Sequence, residues 1–150
     1  GKIPEKLWIK AREEARDVIR KDIKLNIKGS DIDKSSISLS KENAHKAGVN
    51  KQIEFNNISF KDVQVNDKYG CLICNPPYGE RMGELKEVEE LYIDMGQTFR
   101  ALDTWSFYII TSHEEFERLY GKKANKNRKL YNGMIKCYYY QYFGPRPPRI

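Results

Sequence analysis

Gly70-Cys71-Leu72-Ile73-Cys74-Asn75-Pro76-Pro77-Tyr78-Gly79-Glu80-Arg81 is the stretch from which the rest of the chain can be read. Residues 71–74 are wholly apolar, with the length and continuity expected of a strand covered on both faces, as parallel strands in α/β proteins are. Asn75 ends the run. Pro76 and Pro77 then remove two successive backbone donors and fix φ twice, so residues 75–78 cannot extend a ladder and must stand rigid past the strand's carboxyl end. Open α/β sheets bind their ligands at that end.

These four residues suit a planar exocyclic amine. The Asn75 side-chain carbonyl and the Pro76 backbone carbonyl can accept its two hydrogens, and Tyr78 offers a flat face on which a base can stack. Two acceptors drawing on the amine protons would hold the nitrogen lone pair out of conjugation and aim it at an electrophile. That is positioning and electrostatics, and no strong base takes part. The plainer reading is a rigid turn after a strand, since Asn-Pro and Pro-Pro are common turn dipeptides.

The surrounding residues extend the first reading. Asn75-Pro76-Pro77-Tyr78 resembles the catalytic motif of amino-methyltransferases that use S-adenosylmethionine, and residues 75–81 resemble one family in particular. That family is the large-subunit ribosomal RNA methyltransferases, also labelled N6-adenine-specific DNA methylases, in which an RNA-binding THUMP domain precedes a class I methyltransferase domain. Gly29-Ser30-Asp31-Ile32-Asp33, Asn43-Ala44 with Ala47-Gly48-Val49, Leu91-Tyr92 and Lys129-Leu130-Tyr131-Asn132-Gly133 continue the resemblance over nearly the whole chain.

The resemblance implies an α/β fold, the Rossmann-like class I methyltransferase sheet with a carboxyl-terminal antiparallel hairpin. Residues 1–143 would be part of that domain and residues 144–150 an extended tail. It also implies S-adenosylmethionine as cofactor, and a base amine of large-subunit ribosomal RNA, guanine N2 first, as methyl acceptor. Adenine N6 in DNA or RNA is the alternative, because the same two acceptors fit either amine; a non-catalytic nucleic-acid-binding remnant is the competitor of another class. Asn75, Pro76, Pro77 and Tyr78 would make the catalytic turn. Asp31, Ile32 and Asn75 would contact the cofactor, Asp31 through its ribose. Ser59 stands where relatives carry an acid or amide for the cofactor's adenine, with Asp62 three residues on, a departure from the family pattern.

The chain has no glycine-rich strand-to-helix loop of the kind that cradles a cofactor. In the family, that loop and the central first strand lie upstream of residues like 1–23. The expectation is therefore the carboxyl-terminal part of a longer protein, partnered by its own upstream THUMP domain and cofactor loop. The place of that strand would be filled by a separate fragment, by a second copy in a homo-oligomer, or by a rearranged sheet.

Bulk properties narrow the classes. A chain of 150 residues can bury roughly two-thirds of its unfolded surface in one domain. Its 27 basic and 21 acidic residues, net +6, suit a polyanionic partner without requiring one. No apolar run approaches the ~18 residues of a membrane span, and the amino end lacks the pattern of a signal peptide, so no membrane partner and a cytoplasmic location are expected. Cys71 and Cys74 form C-x-x-C, yet both lie in one extended run whose successive residues face opposite ways. They read as buried thiols and not as a metal site.

The remaining segments follow from periodicity. Leu7, Trp8, Ala11, Ala15, Val18 and Ile19 predict an amphipathic helix over 4–21 covering one face of a sheet. A strand over 24–29 precedes a helix over 34–46 that Asp33 can cap, closed by Gly48. A third strand falls at 51–55, with a loop or short helix over 58–65. Val88, Leu91, Tyr92, Met95, Phe99 and Leu102 stripe a long helix. A strand at 105–111 and a short helix at 113–120, closed by Gly121, come next. His113, at that helix's start, reads as a surface residue, and the proposed chemistry needs no base. Arg81 is either paired with a neighbour or a contact to RNA phosphate. Lys122, Lys123, Lys126, Arg128 and Lys129 read as a solvated loop, or near the substrate as an RNA backbone contact. Asn132-Gly133 predicts a hairpin leading into a tyrosine-rich strand over 134–143.

Overall fold

In the computed structural model, which describes residues 3–20, 22–79 and 85–149, the chain falls into two units, Gly1–Ser59 and Phe60–Ile150. The first holds α1 (Glu5–Asp17), β1 (Ile27–Ser30), α2 (Lys34–Lys46) and β2 (Ile53–Asn56). β1 and β2 pair in parallel, from Ile27 opposite Ile53 to Ser30 opposite Asn56. Parallel neighbours need a crossover, and α2 supplies it while burying Ile37 and Ala44. α1 forms where the apolar spacing places it, but it buries none of its residues; Leu7 and Trp8 stay about half exposed.

The second unit holds a 3-10 turn at Phe60–Asp62, β3 (Cys71–Cys74), α3 (Leu85–Arg100), β4 (Ser106–Thr111), α4 (Phe116–Tyr120), β5 (Lys126–Asn132) and β6 (Ile135–Tyr142). Its sheet runs β3-β4-β6-β5. β3 and β4 are parallel with α3 between them, while β4–β6 and β5–β6 are antiparallel. One face carries the core. Leu72, Cys74, Phe107, Ile109, Tyr140 and Tyr142 point toward Val88, Tyr92, Met95 and Phe99 of α3 and Phe116, Leu119 and Tyr120 of α4. Aromatic edges and faces knit this layer, with Tyr92–Phe116 and Phe116–Tyr140 centroids each 4.9 Å apart, each such pair worth about 0.5–1.5 kcal/mol beyond its area.

α3 approaches the end of α4 so closely that a Cβ on Gly96 would stand 2.1 Å from the Tyr120 carbonyl oxygen. Only glycine admits that contact. Trp105 packs on Gly70 and donates its indole N–H to the Asp67 carbonyl at 2.8 Å. The hairpin turns at Gly133-Met134, one residue later than Asn132-Gly133. Gly133 has φ +61° and Met134 is not left-handed, the pattern of a II′ turn with glycine at its first central position.

Four expectations are corrected. β3 is not covered on both faces: Leu72 and Cys74 turn to the core, whereas Ile73 is 78% exposed and Cys71 is exposed with its thiol. Within this unit α3 and α4 cover one side of the sheet only, so the strand's two-residue alternation decides. The basic run is not a loop throughout, because Lys126, Arg128 and Lys129 belong to β5, whose backbone pairs with β6 along its whole length. Its side chains are all exposed, as lysine-bearing edge strands are. His113 is no surface residue, its side chain being 11% exposed. The α1 stripe buries none of its residues and covers no sheet face within its own unit. Among the described residues, no helix is long and apolar enough to cross a membrane.

Candidate active site

The proline turn leaves β3 at its carboxyl end, with Asn75 exposed, Pro76 buried and Tyr78 half-buried. The Tyr78 hydroxyl donates to Asn75 Oδ1 at 2.9 Å. A carbonyl oxygen has two lone pairs, so Tyr78 occupies one acceptor direction of Asn75 and leaves the other. The same bond fixes the tyrosine ring beside the acceptor.

Behind the turn, Tyr92 of α3, 0% exposed, donates its hydroxyl to the Pro77 carbonyl at 2.7 Å. Its oxygen lies 2.8 Å from Thr111 Oγ1. Tyr92 has one proton and a carbonyl cannot donate, so Thr111 gives its own proton to Tyr92 and accepts the His113 N–H at 3.1 Å. The chain of bonds runs one way, from His113 through Thr111 and Tyr92 to Pro77. Burial pushes the Tyr92 pKa up to about 12, keeping it a donor. His113 packs edge-on against Tyr92. Its Nδ1 accepts the Glu115 N–H at 3.2 Å, and its Nε2 stands 3.8 Å from Glu89 Oε1.

In the first unit, Asp31 and Ile32 lie just past the end of β1. Asp31 Oδ1 accepts the Asp33 N–H at 2.8 Å, and no described residue bonds Oδ2. Asn57 Nδ2 donates to the Asp31 and Ile32 carbonyls at 2.9 and 2.8 Å, clamping this exit loop. Ile32 is 76% exposed. Ser59 is half-buried beyond β2, and Asp62 is exposed in the 3-10 turn. Asp33 caps α2, accepting from the backbone N–H and hydroxyl of both Ser35 and Ser36.

Those two hydroxyls, then the two amides, hold the Asp33 carboxyl far below the usual carboxylate range. A depressed folded-state pKa contributes stability above the unfolded value of about 4, and that contribution fades as pH falls toward the folded value. Melting followed from about pH 5 to pH 2 is therefore expected to fall more steeply in the wild type than in Asp33→Asn, which caps without a charge.

Register sorts the basic residues. Continuing β3 by one residue sets Asn75 level with Ile110, which pairs with Tyr139 and through it with Arg128. Arg128 is thus three strand spacings across from Asn75, about 14 Å. Lys126 is two residues further from the turn end, and Lys122 and Lys123 precede the start of β5. Lys129, level with Pro76, and the hairpin tip lie at the turn's own end, with Tyr131 67% and Met134 98% exposed. Arg81 falls outside the described residues. Cys71 and Cys74 face opposite sides of β3, and burial raises the Cys74 pKa to about 11.

The parts that Tyr92, Thr111 and Asn57 play in holding these loops escaped the sequence reading. The signal for the first two was there: a tyrosine in an apolar helix stripe and a threonine closing an apolar strand are polar groups at core positions, and buried polar groups have partners.

A parallel pair with a helical crossover, an antiparallel hairpin closing the sheet and a proline turn at the carboxyl end of β3 are features of the class I methyltransferase fold, of Rossmann-like topology. Residues 2–141 match the family described as "RMKL-like, methyltransferase domain", and the chain belongs to that family. It is 49% identical over 148 residues to the Bacillus subtilis (strain 168) protein named "Putative RNA methyltransferase YpsC", covering 98% of this chain and 38% of that one. It is 36% identical over 135 residues to "Ribosomal RNA large subunit methyltransferase K/L" of Legionella pneumophila (strain Philadelphia 1), covering 89% of this chain and 19% of that one. The crystal structure of SMU.472 complexed with SAH superposes with a TM-score of 0.87 at 40% identity, covering 97% of this chain and 39% of that one. The chain thus spans about two-fifths or less of the length of these relatives.

Proposed function

We propose that this chain carries the methyl-transfer site of an RNA methyltransferase that uses S-adenosylmethionine and acts on a base amine of large-subunit ribosomal RNA, with guanine N2 the amine the family resemblance implies. The observation that carries the reading is the exposed Asn75 amide on a rigid proline turn at the carboxyl end of β3, with Tyr78 held against it. The Legionella relative's name supplies the RNA class.

Asn75 Oδ1 and the Pro76 carbonyl take the two amine hydrogens, and Tyr78 stacks on the extruded base. Extrusion from a duplex costs a few kilocalories per mole, part of which stacking returns. The cofactor, when bound, supplies an electrophilic methyl group. The residues past β1 suit such a group: Asp31 Oδ2, unbonded by described residues, is an acceptor for ribose hydroxyls, and the exposed Ile32 is an apolar surface for its base. Asn75 and Ser59 complete the proposed contacts. Arg128 and Lys126 meet an RNA backbone passing Asn75, with Lys122 and Lys123 as outer contacts, and Arg81 is assigned to RNA phosphate as well. In this reading residues 1–143 form the catalytic part, 144–150 a tail, and an upstream part of the same cytoplasmic protein adds the cofactor loop and further RNA contacts.

The test incubates the intact protein with labelled S-adenosylmethionine and unmodified ribosomal RNA, and identifies the methylated nucleoside by mass spectrometry. N2-methylguanosine is the expected product. N6-methyladenosine would replace the substrate and keep the site, while no transfer to RNA or DNA would leave nucleic-acid binding as the function.

A further inference from the structure

We infer that Tyr92 is a positioning residue for methyl transfer, acting through Pro77 to hold the proline turn in its working geometry. The inference rests on the reading that Asn75 and Pro76 accept the amine hydrogens. Leu91-Tyr92 belongs to the stretches that carry the family resemblance, yet the chemistry above gives Tyr92 no part.

The two prolines stiffen the turn, but its place on the sheet needs a bond from outside it. Proline has no N–H, so neither Pro76 nor Pro77 donates a backbone bond, and the ladder of β3 with β4 ends at Cys74–Ile109. Two acceptors, one on a side chain and one on the backbone, must nevertheless present their lone pairs to one amine with small error, and misplacement by about 1 Å can cost 10²-fold in rate. Tyr92 meets that need. Its hydroxyl donates to the carbonyl directly after the proposed acceptor, at 2.7 Å, from a side chain that is wholly buried and so has one place to be. Thr111 fixes the hydroxyl rotor by donating to it, and the His113 N–H fixes Thr111 in turn. β4 and α3 are both core elements, so the turn is tied to the most buried part of the unit.

The arrangement also explains a tyrosine where phenylalanine would pack as well. Among the ring contacts of Tyr92 are an edge to Phe116 and an edge to His113, and a phenyl ring keeps both. What phenylalanine lacks is the bond to Pro77.

Tyr92→Phe in the intact protein tests this with two independent readings. Amide hydrogen exchange is expected to quicken at Tyr78 and Gly79, the first N–H groups after the prolines, with α3 and β4 as protected as in the wild type. The turnover number with ribosomal RNA is expected to fall about tenfold, with the KM for S-adenosylmethionine unchanged. Thr111→Val, which keeps shape and removes the donor to Tyr92, should move both readings the same way by less, and Thr111→Ser should restore them. Unchanged exchange at Tyr78 and Gly79 overturns the inference, and so does faster exchange with a wild-type turnover number. A general loosening of α3 and β4 would mark Tyr92 as core packing only and overturn it too. A wild-type protein that transfers no methyl group would instead sink the proposed function, which the exchange reading does not depend on.

Discussion

Replacing Asn75 with alanine is expected to lower the rate of methyl transfer by about 10²- to 10³-fold, the range seen when one preorganised hydrogen-bonding group is removed from a developing charge. Asn75 is exposed, and its side-chain oxygen accepts from the Tyr78 hydroxyl. Fold stability should therefore move by no more than about 0.5 kcal/mol, as surface changes do. Cofactor affinity should fall less than rate, since the proposed contacts of Asp31, Ile32 and Ser59 remain. The informative companion is Asn75→Asp. A carboxylate is also an acceptor, so it should recover much of the rate if accepting the amine hydrogens is what Asn75 does. Single-turnover kinetics with saturating cofactor separate these outcomes. Equal loss in both variants would mean that the amide's own N–H groups matter, and the assignment of Asn75 as acceptor would fail.

Gly96→Ala is expected to destabilise the second unit by about 2–3 kcal/mol, the upper part of the usual cost of overpacking. Helix propensity argues the other way, since alanine in a helix interior is favoured over glycine by about 1 kcal/mol. Contact decides the sign. The added methyl would lie 2.1, 2.8 and 3.0 Å from the carbonyl oxygen, carbonyl carbon and Cα of Tyr120. These are backbone atoms in the last turn of α4 and cannot swing aside. α3 and α4 must part, loosening the layer that Tyr92, Phe116 and Tyr120 share. Urea unfolding should show a lower midpoint at an unchanged slope. A stabilised Gly96→Ala would mean that the two helices have room to separate at no cost.

Local signals decided what could be read from the sequence. Apolar spacing located α3 to its stripe of Val88, Tyr92, Met95 and Phe99, Asp33 announced the cap of α2, and Gly133 the hairpin. Each is a matter of neighbours within a few positions. What stayed hidden depends on residues far apart in the chain. Cys71 to Cys74 is equally apolar whether one face is covered or two, so the exposure of Ile73 could not be seen in the run itself. Lys126 to Lys129 carry charge enough for a loop, and only pairing with a tyrosine-rich partner makes them a strand. For the site, the proline turn was legible because its chemistry is held in four consecutive residues. The bond from Tyr92 to Pro77 spans 15 positions, and the clamp from Asn57 to Asp31 spans 26; no spacing rule reaches that far.

The division into two units leaves the chain's two tryptophans one in each. Trp8 stands half exposed on α1, and Trp105 is packed on Gly70 with its indole N–H bonded to the Asp67 carbonyl. Indole emission follows its surroundings, so the protein carries an intrinsic optical label for each half. Trp8→Phe silences the first and Trp105→Phe the second, and the red shift that accompanies exposure of Trp105 belongs to the half that bears Asn75.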